Sequence, residues 1–136
     1  MPELKWGPNL ELGVAAMDAQ HRQLIEAMQD IQRLSESAGA DAAAQLARGL
    51  DRLLTLTRRH FEDEERHMEQ IGYADRVRHA RIHQDMLERL AGYRQQFEDG
   101  DGRLPVGLLR FLVYWLSAHI QGIDRKYADV TAPVRS

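Results

Sequence analysis

The sequence predicts an all-α protein, an up-down-up-down antiparallel four-helix bundle with an extended N-terminal arm. Four long segments carry apolar residues at helical spacing, and no segment shows the apolar–polar alternation of a strand. Three short loops join these segments, which favours antiparallel packing of consecutive helices. The 136 residues are enough for one domain with its own core, which we divide into an arm (1–17), the bundle (18–130) and a tail (131–136).

The first two helices have well-marked ends. The first is predicted from about Asp18, a residue type favoured at an N-cap, to Ser37, just before Gly39. The second is predicted over about 41–70 and ends before Gly72. Each carries one apolar stripe, which indicates that one face is buried in the bundle.

The last two helices are separated by a loop, Asp99-Gly-Asp-Gly102. The third helix is predicted over about 74–98. The fourth opens with Pro105, a residue favoured in a first helical turn, and a short further helix is predicted near 124–130.

The composition excludes several classes of protein. Without cysteine, the chain has no disulfide, thiolate metal site or iron–sulfur cluster. A net charge of −3 argues against nucleic-acid binding. The longest apolar run, Phe111 to Leu116, is too short to span a membrane, and the N-terminus shows no signal-peptide core. We therefore expect a soluble cytoplasmic protein without membrane insertion.

Seven potential metal ligands lie at related positions on the predicted helices. Two pairs are four residues apart, so each pair lies on one helical face. In an antiparallel bundle, the starts of the first and third helices and the ends of the second and fourth fall in one layer. Histidines with unrelated structural roles, the alternative interpretation, do not account for this layer. The full set is His21, His60, Glu64, His79, His83, His119 and Asp124.

These side chains predict a site for two metal ions. Five imidazoles and two carboxylates are many polar groups to bury without a ligand, and a single tetrahedral zinc would leave three of them unused. With two bridging carboxylates and one oxo or hydroxo bridge, they fill all but one coordination position of two octahedral ions. The open position suits a small exogenous ligand. We expect iron, since two ferrous ions can jointly supply two electrons to dioxygen.

The chain resembles the single-domain bacterial hemerythrins. Trp6 and the segment Leu12-Gly-Val are similar to the opening of that family. The resemblance extends over nearly the whole chain, and four further matching strings fill every ligand position: Asp18-Ala-Gln-His21, His60-Phe-Glu-Asp-Glu64-Glu65, His79-Ala-Arg-Ile-His83 and His119-Ile-Gln-Gly-Ile-Asp124.

The resemblance implies two iron ions, joined by an oxo or hydroxo bridge, that bind dioxygen reversibly in an oxygen carrier, store or sensor. It implies that Glu64 and Asp124 bridge the ions. It also implies a division of the histidines, with His21 and His60 on the iron that keeps the open position. The other iron would be held by His79, His83 and His119.

An apolar pocket around the open position is expected, because water or anions there would speed oxidation of the iron. The resemblance places this oxygen pocket at five residues close to the ligands in sequence: Leu24, Phe61, Trp115, Leu116 and Ile120. The alternative interpretation is that these five residues only pack in the core.

The resemblance implies a binding protein and not an enzyme. Five neutral imidazoles give little anionic donation to support high-valent iron, which also favours binding over oxidation chemistry. Two alternatives stay open: a di-iron enzyme that consumes peroxide or nitric oxide, and an iron-handling protein. The sequence identifies no protein that would receive the oxygen.

His67 is predicted not to bind metal. Glu64-x-x-His67 matches the Glu-x-x-His motif of ferritin-like carboxylate proteins, but that fold needs a second such motif and none exists here.

The last two ligands predict a distorted helix. His119 and Asp124 are five residues apart, and a regular α-helix would leave their side chains about 140° apart. We therefore predict a π-type turn, which would bring both side chains to one face.

Overall fold

The computed structural model describes residues 7–37 and 39–131 and confirms the all-α four-helix bundle. A π-helical segment (His119–Asp124) continues the fourth helix directly into a short fifth one, and a 3-10 turn (Pro8–Leu10) lies in the N-terminal arm. Trp6 and the predicted tail after Thr131 lie outside the described residues. The helices are α1 (Ala15–Ser35), α2 (Ala42–Gln70), α3 (Arg76–Asp99), α4 (Leu108–Ala118) and α5 (Arg125–Thr131).

The bundle has an apolar half and a half that carries the predicted ligands. α1 packs against α2, α2 against α3, and α4 against α1. The apolar half is filled by side chains without exposed surface, such as Ile31, Leu53, Leu108 and Leu112. Each such burial contributes about 1.5–3 kcal/mol to folding. None of the described helices combines the length and the apolar character needed to span a membrane.

Asp18 is not the N-cap of α1, so that prediction is wrong. α1 begins at Ala15, after an extended Val14, and Asp18 lies in its first turn. The Asp18 carboxylate instead accepts hydrogen bonds from the backbone N–H groups of Leu12 (2.8 Å) and Gly13 (3.1 Å). These bonds tie the arm to α1, because a carboxylate in the first turn can reach back to donors that precede the helix.

The fourth helix begins later than predicted. Pro105 lies in the preceding loop, and α4 starts at Leu108. Gly107, just before it, has a φ of 87°, a left-handed conformation that residues with a Cβ rarely adopt. The chain therefore turns into the helix at the glycine and not at the proline.

The π-type turn predicted between His119 and Asp124 is confirmed. Both residues are buried, and Nε2 of His119 lies 2.9 Å from Oδ1 of Asp124. The wider turn thus brings side chains five positions apart to one face of the helix.

Candidate metal centre

The helices bring all seven predicted ligand residues into one buried cluster. Each residue has between 0% and 4% of its surface exposed. α1 supplies one member, α2 and α3 two each, and the π-helical segment two: His21, then His60 and Glu64, then His79 and His83, then His119 and Asp124.

Glu64 presents its two oxygens to different histidines. Its Oε1 lies 2.8 Å from Nε2 of His83 and 3.5 Å from Nε2 of His79. Its Oε2 lies 3.4 Å from Nε2 of His60 and 3.7 Å from Nε2 of His21. The carboxylate therefore stands between two groups of imidazoles.

Asp124 repeats this division from the other side. Its Oδ1 lies 2.9 Å from Nε2 of His119 and 3.0 Å from Nε2 of His79, whereas its Oδ2 lies 3.1 Å from Nε2 of His21. The cluster consequently has two halves that share both carboxylates. We call them the three-histidine half (His79, His83 and His119) and the two-histidine half (His21 and His60).

The atoms that face the middle of the cluster fit two metal ions. Each half, taken together with Glu64 and Asp124, offers one nitrogen or oxygen per residue such that all these atoms lie within 4.8 Å of one another. Imidazole nitrogens and carboxylate oxygens are ligands that iron and zinc accept. Nε2 of His79 and Nε2 of His119 lie 3.3 Å apart, so both could bind one ion.

Several buried atoms of the cluster have no hydrogen-bond partner among the described residues. An unsatisfied buried polar atom costs about 1–3 kcal/mol, which metal binding at these atoms would remove. Those that face the centre are Nε2 of His21, Nε2 of His83, Oε1 of Glu64 and both carboxylate oxygens of Asp124.

In the metal-free protein the same contacts shift the protonation of the cluster. Burial lowers the pKa of His21, but the nearby carboxylates of Asp124 and Glu64 outweigh it and raise the pKa to about 9. The pKa of His79 is raised to about 9 by the same balance. Burial raises the pKa of Glu64 and Asp124, yet the neighbouring histidines hold the pKa of each carboxyl below its ordinary value. Metal binding would therefore displace protons from the histidines.

Two of the histidines have a hydrogen-bond partner at Nδ1, the nitrogen that faces away from the cluster, which the sequence analysis missed. Nδ1 of His60 lies 2.7 Å from Oε1 of Gln20, and Nδ1 of His83 lies 2.9 Å from Oε2 of Glu65. Such contacts orient metal-binding imidazoles. The only signal in the sequence is adjacency, since Gln20 precedes one ligand residue and Glu65 follows another.

Tyr127 was also missed by the sequence analysis. Its side chain has no exposed surface, and its hydroxyl donates a hydrogen bond of 2.6 Å to Oε2 of Glu64. Burial, followed by the charges of Glu64 and Asp124, raises the pKa of Tyr127 far above its ordinary value. The hydroxyl therefore keeps its proton. Its position three residues after Asp124 is the one sequence signal that could have identified it.

Two of the five residues predicted for the oxygen pocket stack on histidines of the cluster. The ring of Phe61 stacks on His83 with centroids 3.8 Å apart, and the ring of Trp115 stacks on His119 at 4.5 Å. Trp115 is half-buried, whereas Phe61 is buried. The three aliphatic members are also buried, with at most 2% exposed surface: Leu24, Leu116 and Ile120.

His67 belongs to neither half of the cluster. Its ring meets that of Tyr127 edge to face, with centroids 5.5 Å apart. The residue thus packs behind the cluster near the end of α2.

The sequence matches one protein family over most of its length. Residues 12–130 match the family described as Hemerythrin HHE cation binding domain.

Relatives and solved structures of this family align with nearly the whole chain. The Bacteriohemerythrin of Stenotrophomonas maltophilia (strain R551-3) is 33% identical over 129 residues, which cover 95% of this chain and 82% of that protein. The Myohemerythrin of Theromyzon tessulatum is 28% identical over 123 residues, covering 90% and 89%. A crystal structure of wild-type hemerythrin superposes with a TM-score of 0.80 at 25% identity, covering 95% of this chain and 98% of that one.

Proposed function

Because this chain belongs to the hemerythrin family, we propose that it binds dioxygen reversibly at a non-haem centre of two iron ions, as an oxygen carrier, store or sensor. The observation that carries the proposal is the division of both carboxylates between two groups of buried histidines. A site for one ion would have no use for this division.

We assign Glu64 and Asp124 as bridges that give one oxygen to each ion. The three-histidine half would hold one iron and the two-histidine half the other. The two-histidine half offers one histidine fewer, so an iron held there would be the one to take dioxygen. With both ions bound, an oxo or hydroxo group would join them beside the two carboxylates.

When bound, the two iron ions supply electrons to dioxygen and recover them when it leaves. The protein would bind the two iron ions and shield them from water. The two carboxylates offset part of the ionic charge where solvent cannot, since neither has exposed surface. Leu24 and Phe61, which follow His21 and His60 in the chain, are buried and would keep water away from the two-histidine half.

We propose binding and not turnover. Five imidazoles face only two carboxylates in the cluster, and such a donor set gives little anionic support to high-valent iron.

Cycling the ferrous protein between air and argon tests the proposal. A visible absorption band should appear in air and vanish under argon. Elemental analysis of the same protein should give two irons per chain. Irreversible bleaching would favour an enzyme that consumes an oxidant, and iron loss at each cycle would favour an iron-handling protein.

Two histidine variants provide a matched pair for that experiment. His60→Gln removes a proposed ligand and should abolish the reversible band. His67→Gln makes the same substitution outside the cluster and should leave the band and the iron content unchanged. Loss of one iron from the His67 variant alone would mean that the proposed ligand set is wrong.

A further inference from the structure

We infer that Gln20 and Asp63 act as positioning residues that lock His60 into the tautomer with a free Nε2, the form that binds metal. The inference rests on the proposed metal centre, not on oxygen binding. It arises from a chain of contacts from α1 to α2: Nδ1 of His60 to Oε1 of Gln20 at 2.7 Å, and Nε2 of Gln20 to Oδ2 of Asp63 at 2.8 Å.

The orientation of the Gln20 amide follows from its neighbour. An ionised carboxylate only accepts hydrogen bonds, so Gln20 must direct its NH₂ group to Asp63. Arg66 in turn donates to the other oxygen of Asp63, Oδ1, at 3.1 Å, which holds the carboxylate in place. The amide oxygen of Gln20 is therefore left for His60, and flipping the amide would break the contact with Asp63.

The tautomer of His60 follows from the orientation of the amide. An amide oxygen only accepts, so Nδ1 of His60 must carry the proton and donate it. Nε2 is then left with its lone pair, and it faces the cluster, 3.4 Å from Oε2 of Glu64. In a neutral imidazole, the hydrogen bond made by one nitrogen thus determines which nitrogen can bind metal.

The other half of the cluster achieves the same result in a different way. Nδ1 of His83 donates directly to the carboxylate of Glu65 at 2.9 Å. A carboxylate makes an imidazole a stronger electron donor than an amide does. In the two-histidine half the negative charge lies one residue further from the imidazole, on Asp63. Gln20 therefore orients His60 but strengthens it less as an electron donor than a carboxylate would.

Gln20→Met tests the inference, because it keeps the length of the side chain and removes both hydrogen bonds. Gln23→Met is the matched control, since Gln23 lines the same cleft of about 120 Å³ beside His60 and Asp63. Zinc-loaded protein is the probe, since zinc is diamagnetic and does not require oxygen. We expect about a 10- to 100-fold loss of zinc affinity at one of two sites in Gln20→Met, and none in Gln23→Met.

Nitrogen-15 NMR of the zinc-loaded protein reads the tautomer directly. A protected Nδ1–H signal from His60 should be present in the wild type and in Gln23→Met, and absent in Gln20→Met. Equal affinities and equal His60 signals in the two variants would overturn the inference.

A double variant tests whether the acceptor that faces Nδ1 of His60, and not the amide group itself, sets the tautomer. Gln20→Glu combined with Asp63→Asn exchanges the charge and the amide, so that an acceptor again faces Nδ1 of His60. It should restore the Nδ1–H signal and most of the zinc affinity. Failure to restore either would overturn the inference. Because zinc binding is measured without oxygen, a wild type that binds two metals but no dioxygen would contradict the proposed function alone.

Discussion

Tyr127 and Glu64 are 63 positions apart in the chain, yet the hydroxyl of Tyr127 donates a hydrogen bond of 2.6 Å to Oε2 of Glu64 inside the bundle. Neither side chain has exposed surface. Tyr127 lies in α5, beyond the π-helical segment, and reaches back to α2. The contact holds one oxygen of a carboxylate that we propose as a bridge, and it packs the last described helix against the cluster.

Tyr127→Phe should destabilise the metal-free protein by about 1.5–3 kcal/mol, the usual range for a hydrogen bond to a charged group. The buried ring is retained, so little packing is lost. The free energy of unfolding in urea measures the change. Tyr114→Phe removes a hydroxyl from a side chain that is 59% exposed and should change that energy by less than about 0.5 kcal/mol. Equal effects of the two variants would contradict the prediction.

The metal-free protein should lose stability as the pH rises from 6.5 through about 9. The folded-state pKa values of His21 and His79 are about 9, above their ordinary value of 6.5. Their protonation therefore stabilises the fold fully below 6.5, and this contribution is lost as the pH rises through the folded values. Urea unfolding across this range tests it, and a free energy of unfolding that rises with pH there would contradict the assignment.

Acidification should act through the two carboxylates with the opposite sign. The pKa values of Glu64 and Asp124 are lowered in the folded protein, so their charge stabilises the fold at neutral pH. This contribution should be lost as the pH falls towards those lowered values. Unfolding of the metal-free protein at decreasing pH measures the loss, and Glu62→Gln, which changes an exposed carboxylate on α2, should leave its course unchanged.

Glu64→Ala should reduce the iron content from two per chain to one or none. The substitution removes an oxygen from each half of the cluster, since Oε1 and Oε2 face different histidines. Glu62→Ala, at an exposed position of the same helix, should retain both irons. Elemental analysis decides between these outcomes. Two irons in the Glu64 variant, or a single zinc in wild-type protein supplied with iron, would contradict the two-iron assignment.

Deleting Gln121 should disrupt the site although it would allow a regular α-helix. The deletion removes the extra residue of the π-helical turn and rotates everything after it by about 100°, including Asp124 and Tyr127. Iron content should fall while helical circular dichroism is kept. Deleting Asp101 shortens the loop before α4 and is the control. A variant without Gln121 that keeps both irons would show that the π-helical turn is not needed.

The sequence determined those features whose physics is local. Helical period identified the four long helices, and the four-residue spacing of His60 and Glu64 placed both on one face because an α-helix repeats every 3.6 residues. The same geometry predicted the π-helical turn, since the five-residue interval from His119 to Asp124 does not fit a regular helix. Residue preferences at helix ends predicted the structure less well, because the same residue type also occurs elsewhere in a first turn or in a loop. Asp18 suits an N-cap but serves the first turn instead, and Pro105 stays in the loop.

Only the tertiary structure decided which side chains from different helices meet. Gln20 reaches His60 across 40 positions and Tyr127 reaches Glu64 across 63, and no periodicity links such pairs. Their contacts depend on the rotation of each helix about its axis and on its distance from its neighbour, which packing of the whole core sets. The sequence predicted that the ligands lie in one layer of the bundle. Which carboxylate oxygen faces which histidine also depends on helix rotation, and only the structure showed it.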